Sequence, residues 1–510
     1  MRSEDILDAV GEIDGKKVAK AHAEKRRAAL GWRRWTAAAA ALLLVAGGVF
    51  AAVRLSGKAP AGTEVPPPTP TQTGTLPQPV TGASPALLAA AVYPEMPQHP
   101  RDYNDNAGLN RWYDAVRAQQ QRRTEYAGAL DAYLRRSLPQ LLTGSAGENM
   151  VCSPLNIYLA LAMLAEAAGG ESRAQLLDLL GADSLETLRT RANAVWNANY
   201  QDDGTTKSVL SSSLWLAEDV AFVQETLDRL ASVYYADSYR GETGSAAFDE
   251  ALRAWLNALT GGKLERYVND ISLDRDCILA LVTAVDFYAS WMQEFRAADN
   301  ATGVFHAPDG DRDVEFMRES SWTYYYWGER FRAAEKELEL GLNPGHMWLL
   351  LPDEGVSPEE LLADEEALDF LLSDKSAYRA DGSPAWAGSA FVELHLSLPK
   401  FAVSAKTDLI GALQSLGVTD IFEPGRADFS PTVRDAEALL PYISRAEHAA
   451  QVSIDETGVT GAAYTVVEMR AGGAPVQPED KVDFVLDRPF VFAVTGADGL
   501  PLFVGVVQAP

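Results

Sequence analysis

The sequence predicts an α+β fold, on three observations. Helical spacing fills the first half of the main body, and strand-like alternation fills the second. Helices and strands mix there without the strict alternation of a parallel doubly wound sheet. The chain also closes on two alternating apolar runs, Phe490–Val494 and Leu502–Val507, around Ala497-Asp498-Gly499, the pattern of an antiparallel hairpin. With 510 residues, 47% hydrophobic and 23% charged, the chain can bury one large core and still carry appendages.

Residues 1–35 are polar and end in a basic cluster, Lys25, Arg26, Arg27, Arg33 and Arg34. Thr36–Val53 follows without a charge. As a helix it would run roughly 27 Å, close to the thickness of a hydrocarbon core. The basic flank places the N-terminus in the cytoplasm, so 36–53 is read as an uncleaved, single-pass anchor in a lipid bilayer. A cleaved signal peptide is the competing reading; the long leading region and the lack of a small-residue cleavage site before Arg54 weigh against it. Residues 54–83, with PPPTPTQTGT at their centre, form a Pro/Thr/Gly-rich linker without the large apolar residues of a core. The globular body is assigned to 84–510.

Within the body, Asn110–Leu142 has helical spacing, and Leu155–Ala168 is a second helix opened by Ser153-Pro154 as cap and first-turn pair. Ser208–Leu216 reads as a strand, Val223–Tyr235 and Phe248–Leu259 as helices, the latter stopped at Gly261-Gly262. Cys277–Phe287 (CILALVTAVDF) is a continuous apolar run of the kind buried on both faces of a sheet. Met347–Leu351, Phe391–Leu398 and Ala449–Ile454 are further strands.

Charge and motifs exclude several function classes. The net charge is −27; the first 54 residues carry ten Lys and Arg against six Asp and Glu, which leaves −31 on residues 55–510. Such a body repels nucleic acid and polyanions. Cys152 and Cys277 make no disulfide framework and sit in apolar runs as structural thiols. The six histidines lack ligand spacing, His395 and His448 read as core histidines on strands, and Asp364–Glu366 reads as a solvated helix face. No nucleophile elbow, metalloprotease helix, phosphate loop or C-x-x-C motif occurs. Neither a catalyst, a metal site nor a cofactor is expected.

One stretch stands apart. After Glu456 the strand pattern gives way to Gly458, Val459, Thr460, Gly461, Ala462, Ala463, Tyr464 and Thr465, small or uncharged and free of proline. It reads either as a small-residue loop or as a strand in waiting, because a crowded buried position admits neither an unpaired charge nor a missing ladder donor.

Several segments together resemble one family, the serpins, over about residues 108–510: Asn149–Leu155, Gly170–Leu176, Trp255–Leu264, Asp286–Phe295, Leu398-Pro399-Lys400-Phe401, Asp487–Phe490 and Leu502–Gly505. The resemblance implies the serpin fold, here preceded by one transmembrane helix, with an exposed reactive loop at about 457–480. In inhibitory members a protease cuts this loop, whose N-terminal part then enters the main sheet. The resemblance makes Gly458–Thr465 the hinge, with Gly461 where alanine is usual. It places Lys400, Glu456 and Trp291 where the loop first enters, and Ser153, Asn156 and His448 in a polar cluster beneath the sheet's centre, where Thr283 replaces an asparagine. Family spacing puts the cut between Gly472 and Gly473, with Arg470 and Ala471 as alternatives. The expected function is suicide inhibition, at the cell surface, of a subtilisin-, elastase- or trypsin-like serine protease or a cysteine protease, by a monomer. The rivals are a non-inhibitory member serving as protease substrate or scaffold, and a membrane-anchored enzyme.

Overall fold

Two large sheets share the molecule, and one of them is interrupted. The computed structural model describes residues 85–91, 93–94, 100, 105–120, 127–142, 147–202, 206–339, 345–373, 375, 385–459, 480–496 and 498–510. The anchor and linker segments, and the reactive loop beyond Val459, therefore lie outside the described residues. Among the described residues no helix is long and apolar enough to cross a membrane.

The strands are, in chain order, β1 (Ala86–Ala89), β2 (Met150–Cys152), β3 (Gln201–Asp202), β4 (Lys207–Ala217), β5 (Ala236–Gly241), β6 (Leu279–Ser290), β7 (Ala301–Ala307), β8 (Gly310–Trp327), β9 (Phe331–Leu338), β10 (Gly345–Pro352), β11 (Ser389–Pro399), β12 (Phe401–Asp408), β13 (Glu447–Ile454), β14 (Gly458–Val459), β15 (Lys481–Val485), β16 (Phe490–Thr495) and β17 (Pro501–Val507). One sheet runs β1-β5-β4-β6-β14-β13-β12, with β3 beside β4. The other runs β15-β11-β8-β9-β10-β16-β17-β2, with β7 beside β8. The C-terminal hairpin forms as the alternation predicts, every β16 and β17 residue being buried. Gly505 is required there, since a Cβ would fall 2.5 Å from the Phe492 ring.

The helices that position the site are α1 (Asn106–Gln120), α2 (Ala127–Leu141), α3 (Pro154–Ala167), α4 (Gly170–Leu179), α5 (Leu185–Asn199), α6 (Gln224–Val233), α7 (Ala246–Thr260) and the single turn α8 (Glu265–Val268). The expected single helix over Asn110–Leu142 is described as two, α1 and α2; Pro139 is kept inside the last turn of α2. Helix α3 is apolar around nearly its whole circumference because it crosses the molecule's centre, beneath β6 and β17. Pro154 opens it as expected, but the Ser153 side chain makes no cap bond. Helix α7 is capped by Ser245, which accepts from Phe248 N, and ends at Gly261 in the left-handed region (φ 59°), as the Gly-Gly signal predicts. Its face of Phe248, Leu252, Trp255 and Leu256 lies over β4, β5 and β6.

The strand expected at Cys277–Phe287 starts two residues later and extends to Ser290. It is mostly half-buried rather than sealed on both faces. Ala280, Val282 and Ala284 pack under α7 while Leu281, Val285 and Phe287 face the main core, which explains the unbroken apolar run. Its exposure has another source: one long edge is paired with β4 from Leu279 to Tyr288, and among the described residues the other meets only the two residues of β14.

The N-terminal arm adds a strand to the interrupted sheet. Strand β1 pairs antiparallel with β5, Ala91 N donates to Asp237 Oδ1 at 2.9 Å, and Tyr93 joins an aromatic cluster with Trp196, Tyr200 and Tyr235. Cys152 is buried and Cys277 half-buried, and neither is bridged. Burial pushes the Cys152 thiol up to about 12 and the Cys277 thiol up to about 11, so both are inert as nucleophiles. Asp364 caps the helix Glu365–Leu372, and Glu366 accepts from Glu329 N, so that acidic cluster is more than a solvated face.

Candidate functional site

The interruption lies between β6 and β13. At its upper end the chain leaves β13, turns at Asp455–Thr457 and re-enters the sheet as β14, with Gly458 paired to Ser290, Val459 to Ala289, and Val459 also to Ile454. Asp455 Oδ1 holds the turn by accepting from Thr457 N (2.8 Å), Thr457 Oγ1 (2.6 Å) and Gly458 N (3.2 Å). Gly458 is needed for this seat, because a Cβ would lie 2.3 Å from Ala289 O. Val459 is fully buried in the main core.

Below Val459, among the described residues, no ladder joins β6 to β13. Each strand is paired on its outer edge, β6 to β4 and β13 to β12 over the full length of β13, and among the described residues its inner edge meets only β14. Among the described residues one strand position inside the sheet is thus unfilled below Val459, a place where N–H and C=O groups invite a partner. The cleft there holds only about 20 Å³ between Val285 of β6 and His448–Gln451 of β13. That is room for a water molecule.

The upper end is closed by charge-assisted contacts. Lys400 Nζ lies 2.7 Å from Glu456 Oε1 and 2.9 Å from Glu315 Oε2, and Asn300 Nδ2 donates to Glu456 Oε1 at 2.6 Å. Burial pushes the Glu456 carboxyl up, but Lys400 and the neighbouring donors outweigh it and hold it below its ordinary range. The hydrogen bond to Glu456, then that to Glu315, raises Lys400. Trp291 is buried at the same corner, its Nε1 donating to Asp455 O at 2.8 Å and its N–H to Thr457 O at 2.9 Å. Lys400, Glu456 and Trp291 thus come together as the sequence implies. Asp455, Asn300 and Glu315 were not anticipated; the D-x-T spacing of an Asx turn was the one legible signal for Asp455.

The middle of the slot is polar but unfinished. Ser153 N donates to His448 Nε2 at 2.9 Å, and full burial lowers His448 to about 4, so it is neutral. Ser153 Oγ and Asn156 Oδ1 are buried without a hydrogen-bond partner among the described residues, and both line the cleft with His448. Thr283 stands on β6 opposite Ser212, outside this set of hydrogen bonds, so the cluster is assembled only in part. His448 is the core histidine expected, but His395 is half-exposed, 3.4 Å from Glu393 and 3.9 Å from Asp483; its place in the alternation of β11 puts it opposite the buried Leu394 and Leu396. Of the hinge, Gly458 and Val459 are seated in the sheet. Thr460, Gly461, Ala462, Ala463, Tyr464 and Thr465, and the cut-site candidates Arg470, Ala471, Gly472 and Gly473, lie outside the described residues.

A mixed sheet in which, among the described residues, a two-residue strand alone bridges β6 and β13 is the setting of this site. The family model described as "Serpin (serine protease inhibitor)" matches residues 135–510, and the chain belongs to the serpin family. It is 26% identical over 407 residues to Serpin-ZXA of Oryza sativa subsp. japonica, covering 76% of this chain and 96% of that one. It is 27% identical over 393 residues to plasminogen activator inhibitor 1 of Neovison vison, covering 73% and 90%. Among solved structures it is similar to the thermophilic serpin tengpin in its native state, with 26% identity, a TM-score of 0.64, and 76% and 94% of the two chains covered. Serpins are protease inhibitors rather than proteases.

Proposed function

We propose that this serpin inhibits a serine protease by suicide cleavage of its reactive loop, with the cut loop entering the slot between β6 and β13. The vacant strand position carries this reading. Continuing the register of β14, one residue back on β6 for each residue forward in the loop, sets Gly461 beside Phe287 and Val452. It sets Ala463 beside Val285 and Ala450, and Thr465 beside Thr283 and His448. These three share the inward parity of Val459. Small residues meet the bulky neighbours, and a hydroxyl arrives where Ser153 Oγ and Asn156 Oδ1 lack partners. Insertion would therefore pair the free edges of both strands and satisfy buried polar atoms, each worth about 1 to 3 kcal/mol when left unmade.

Small residues Ala471–Ala474 favour an elastase- or subtilisin-like protease, and Arg470 favours a trypsin-like one. We further assign the inhibitor to the outer face of a cell membrane, held by 36–53 through the Pro/Thr linker, on the strength of the uncharged run and its basic flank. The test incubates the full-length chain in detergent with subtilisin, pancreatic elastase and trypsin. The expected result is a protease–serpin band that survives denaturing gels, and a cleaved form that melts well above the intact one. Clean cleavage with neither would leave a serpin fold that acts as substrate or scaffold. Fractionation tests the anchor: the chain should pellet with membranes, and a soluble product starting near residue 54 would overturn that assignment.

A further inference from the structure

The end of the sheet opposite the seat of β14 carries apolar side chains that the core does not use. Between Val433 and β13 the chain reads RDAEALLPYISRA. Within it Leu439, Leu440 and Tyr442 are 44%, 48% and 45% exposed. The short helix Ala436–Leu439 stops at Leu440, whose backbone is left-handed (φ 47°, ψ 52°), a conformation that leucine adopts only at a cost. An ordinary loop would place glycine or asparagine at that φ and polar residues around it. Three large apolar groups within four residues, rimmed by exposed Arg434, Asp435, Glu437 and Arg445, are instead the mark of an interaction surface.

The N-terminal arm enters at this same end. Ala86 of β1 pairs with Arg240, Arg240 hydrogen-bonds to Glu218 O, and Glu218 N donates to Gly241 O at 3.0 Å. A few residues on, Ala221 O accepts from Arg434 N at 3.0 Å and Phe222 bridges to Val433. The arm and the apolar segment thus hang on one loop, 218–223, just past the end of β4. Leu87 of β1 is exposed there too. The thirty linker residues that lead back from the arm, 54–83, reach about 30 to 90 Å according to their stiffness, so a bilayer that holds 36–53 lies within reach of this end. We propose that Leu439, Leu440 and Tyr442 seat this end of the body on the surface of that bilayer. The inference rests on the anchor reading above. Leucines enter the boundary between headgroups and acyl chains, and a tyrosine suits the headgroup level. Two arginines against two carboxylates leave the rim neutral, and the acidic body repels anionic headgroups, so the surface is a zwitterionic one. Strand β6 runs twelve residues from Leu279, at this end, to Ser290 at the seat of β14, roughly 40 Å. A body docked this way holds the start of the reactive loop clear of the headgroups.

The test uses the full-length chain, with Cys277→Ser, reconstituted into phosphatidylcholine vesicles and labelled with an environment-sensitive dye at Leu440→Cys. Leu439→Cys carries the test if the first variant does not fold. The expected result is emission shifted to the blue, quenching by lipid spin-labelled near the headgroup, and several-fold weaker quenching by aqueous iodide than without vesicles. A label at Asp313→Cys, exposed on β8 two residues before Glu315 of the closed upper end, should read water throughout. Water-like emission at Leu440 in a chain that pellets with the vesicles would overturn the docking and leave the anchor standing. A blue shift without quenching by lipid would overturn it too, since a second copy then covers the patch. A chain that does not pellet would overturn the anchor, and the docking with it.

Discussion

Where β14 is seated, the slot is closed by an ion-pair cluster, an indole hydrogen bond and a capped turn, and of the buried polar atoms there Asn300 Oδ1 alone lacks a partner among the described residues. Six residues further along the same register, at His448, the cleft is bordered by Ser153 Oγ and Asn156 Oδ1 with none. The two regions differ in when their hydrogen bonds are made. Contacts at the upper end are made already, Asn300 Oδ1 excepted; on the insertion proposed above, those at the middle would be completed by an entering strand.

The sharpest way to break that comparison is to spoil the first seated residue. Val459→Arg would place a guanidinium in the main core without a carboxylate, at a cost of several kcal/mol for insertion. Denaturing gels should show the covalent complex replaced by cut chain, while the native protein loses the burial of one valine, about 2 kcal/mol, as the two-residue strand withdraws to solvent.

His448 sharpens the comparison through pH. Its ordinary value is 6.5 and burial lowers it to about 4 in the folded protein. Below 6.5 the unfolded chain binds the proton that the folded chain refuses, so stability falls as pH drops from 6.5 to 4, and the loss ends there at roughly 3 kcal/mol. Denaturant midpoints across this window should show the slope, and His448→Gln should remove it. Glu456 acts in a separate window: its lowered carboxyl contributes stability above about pH 4.5, lost only on further acidification.

The N-terminal arm gives a control away from the slot. Tyr93→Ala removes one ring from the cluster with Trp196, Tyr200 and Tyr235 and should lower stability by about 2 kcal/mol in thermal melts, without changing the fate of the cut loop. The smallest effect belongs to the upper ion pair. Glu456→Gln keeps the shape and removes the charge, and the partly exposed pair should lose under about 1 kcal/mol, less at high salt, read from denaturant midpoints in low and high salt.

Much of this molecule was legible in its residues. The C-terminal hairpin, α3, α7 with its Gly261 stop, and most central strands follow from alternation, spacing and capping, which are local rules. Of the expected hinge, Gly458 and Val459 take a tight seat in the sheet that small, uncharged residues suit; the remainder lies outside the described residues. Lys400, Glu456, Trp291 and His448 came from motif resemblance; the structure sets Lys400 2.7 Å from Glu456, Trp291 Nε1 2.8 Å from Asp455 O, and His448 Nε2 2.9 Å from Ser153 N. Tertiary structure alone decided the rest. That β6 is half-buried depends on its second edge, where the described residues supply only the two of β14, which no property of its own sequence records. That Ser153 opens α3 without capping it, and that Thr283 stays outside the polar cluster, depends on how strands over three hundred residues apart in sequence converge on β2 and α3. The turn after α7 is the clearest case. Lys263, Arg266 and Tyr267 read as ordinary surface residues after a helix, and only the packing of α7 across the sheet carries them to Asp286 on one side of the gap and Ser404 on the other. Local chemistry dictates which residues can become a strand; only the assembled sheet shows where a strand is missing.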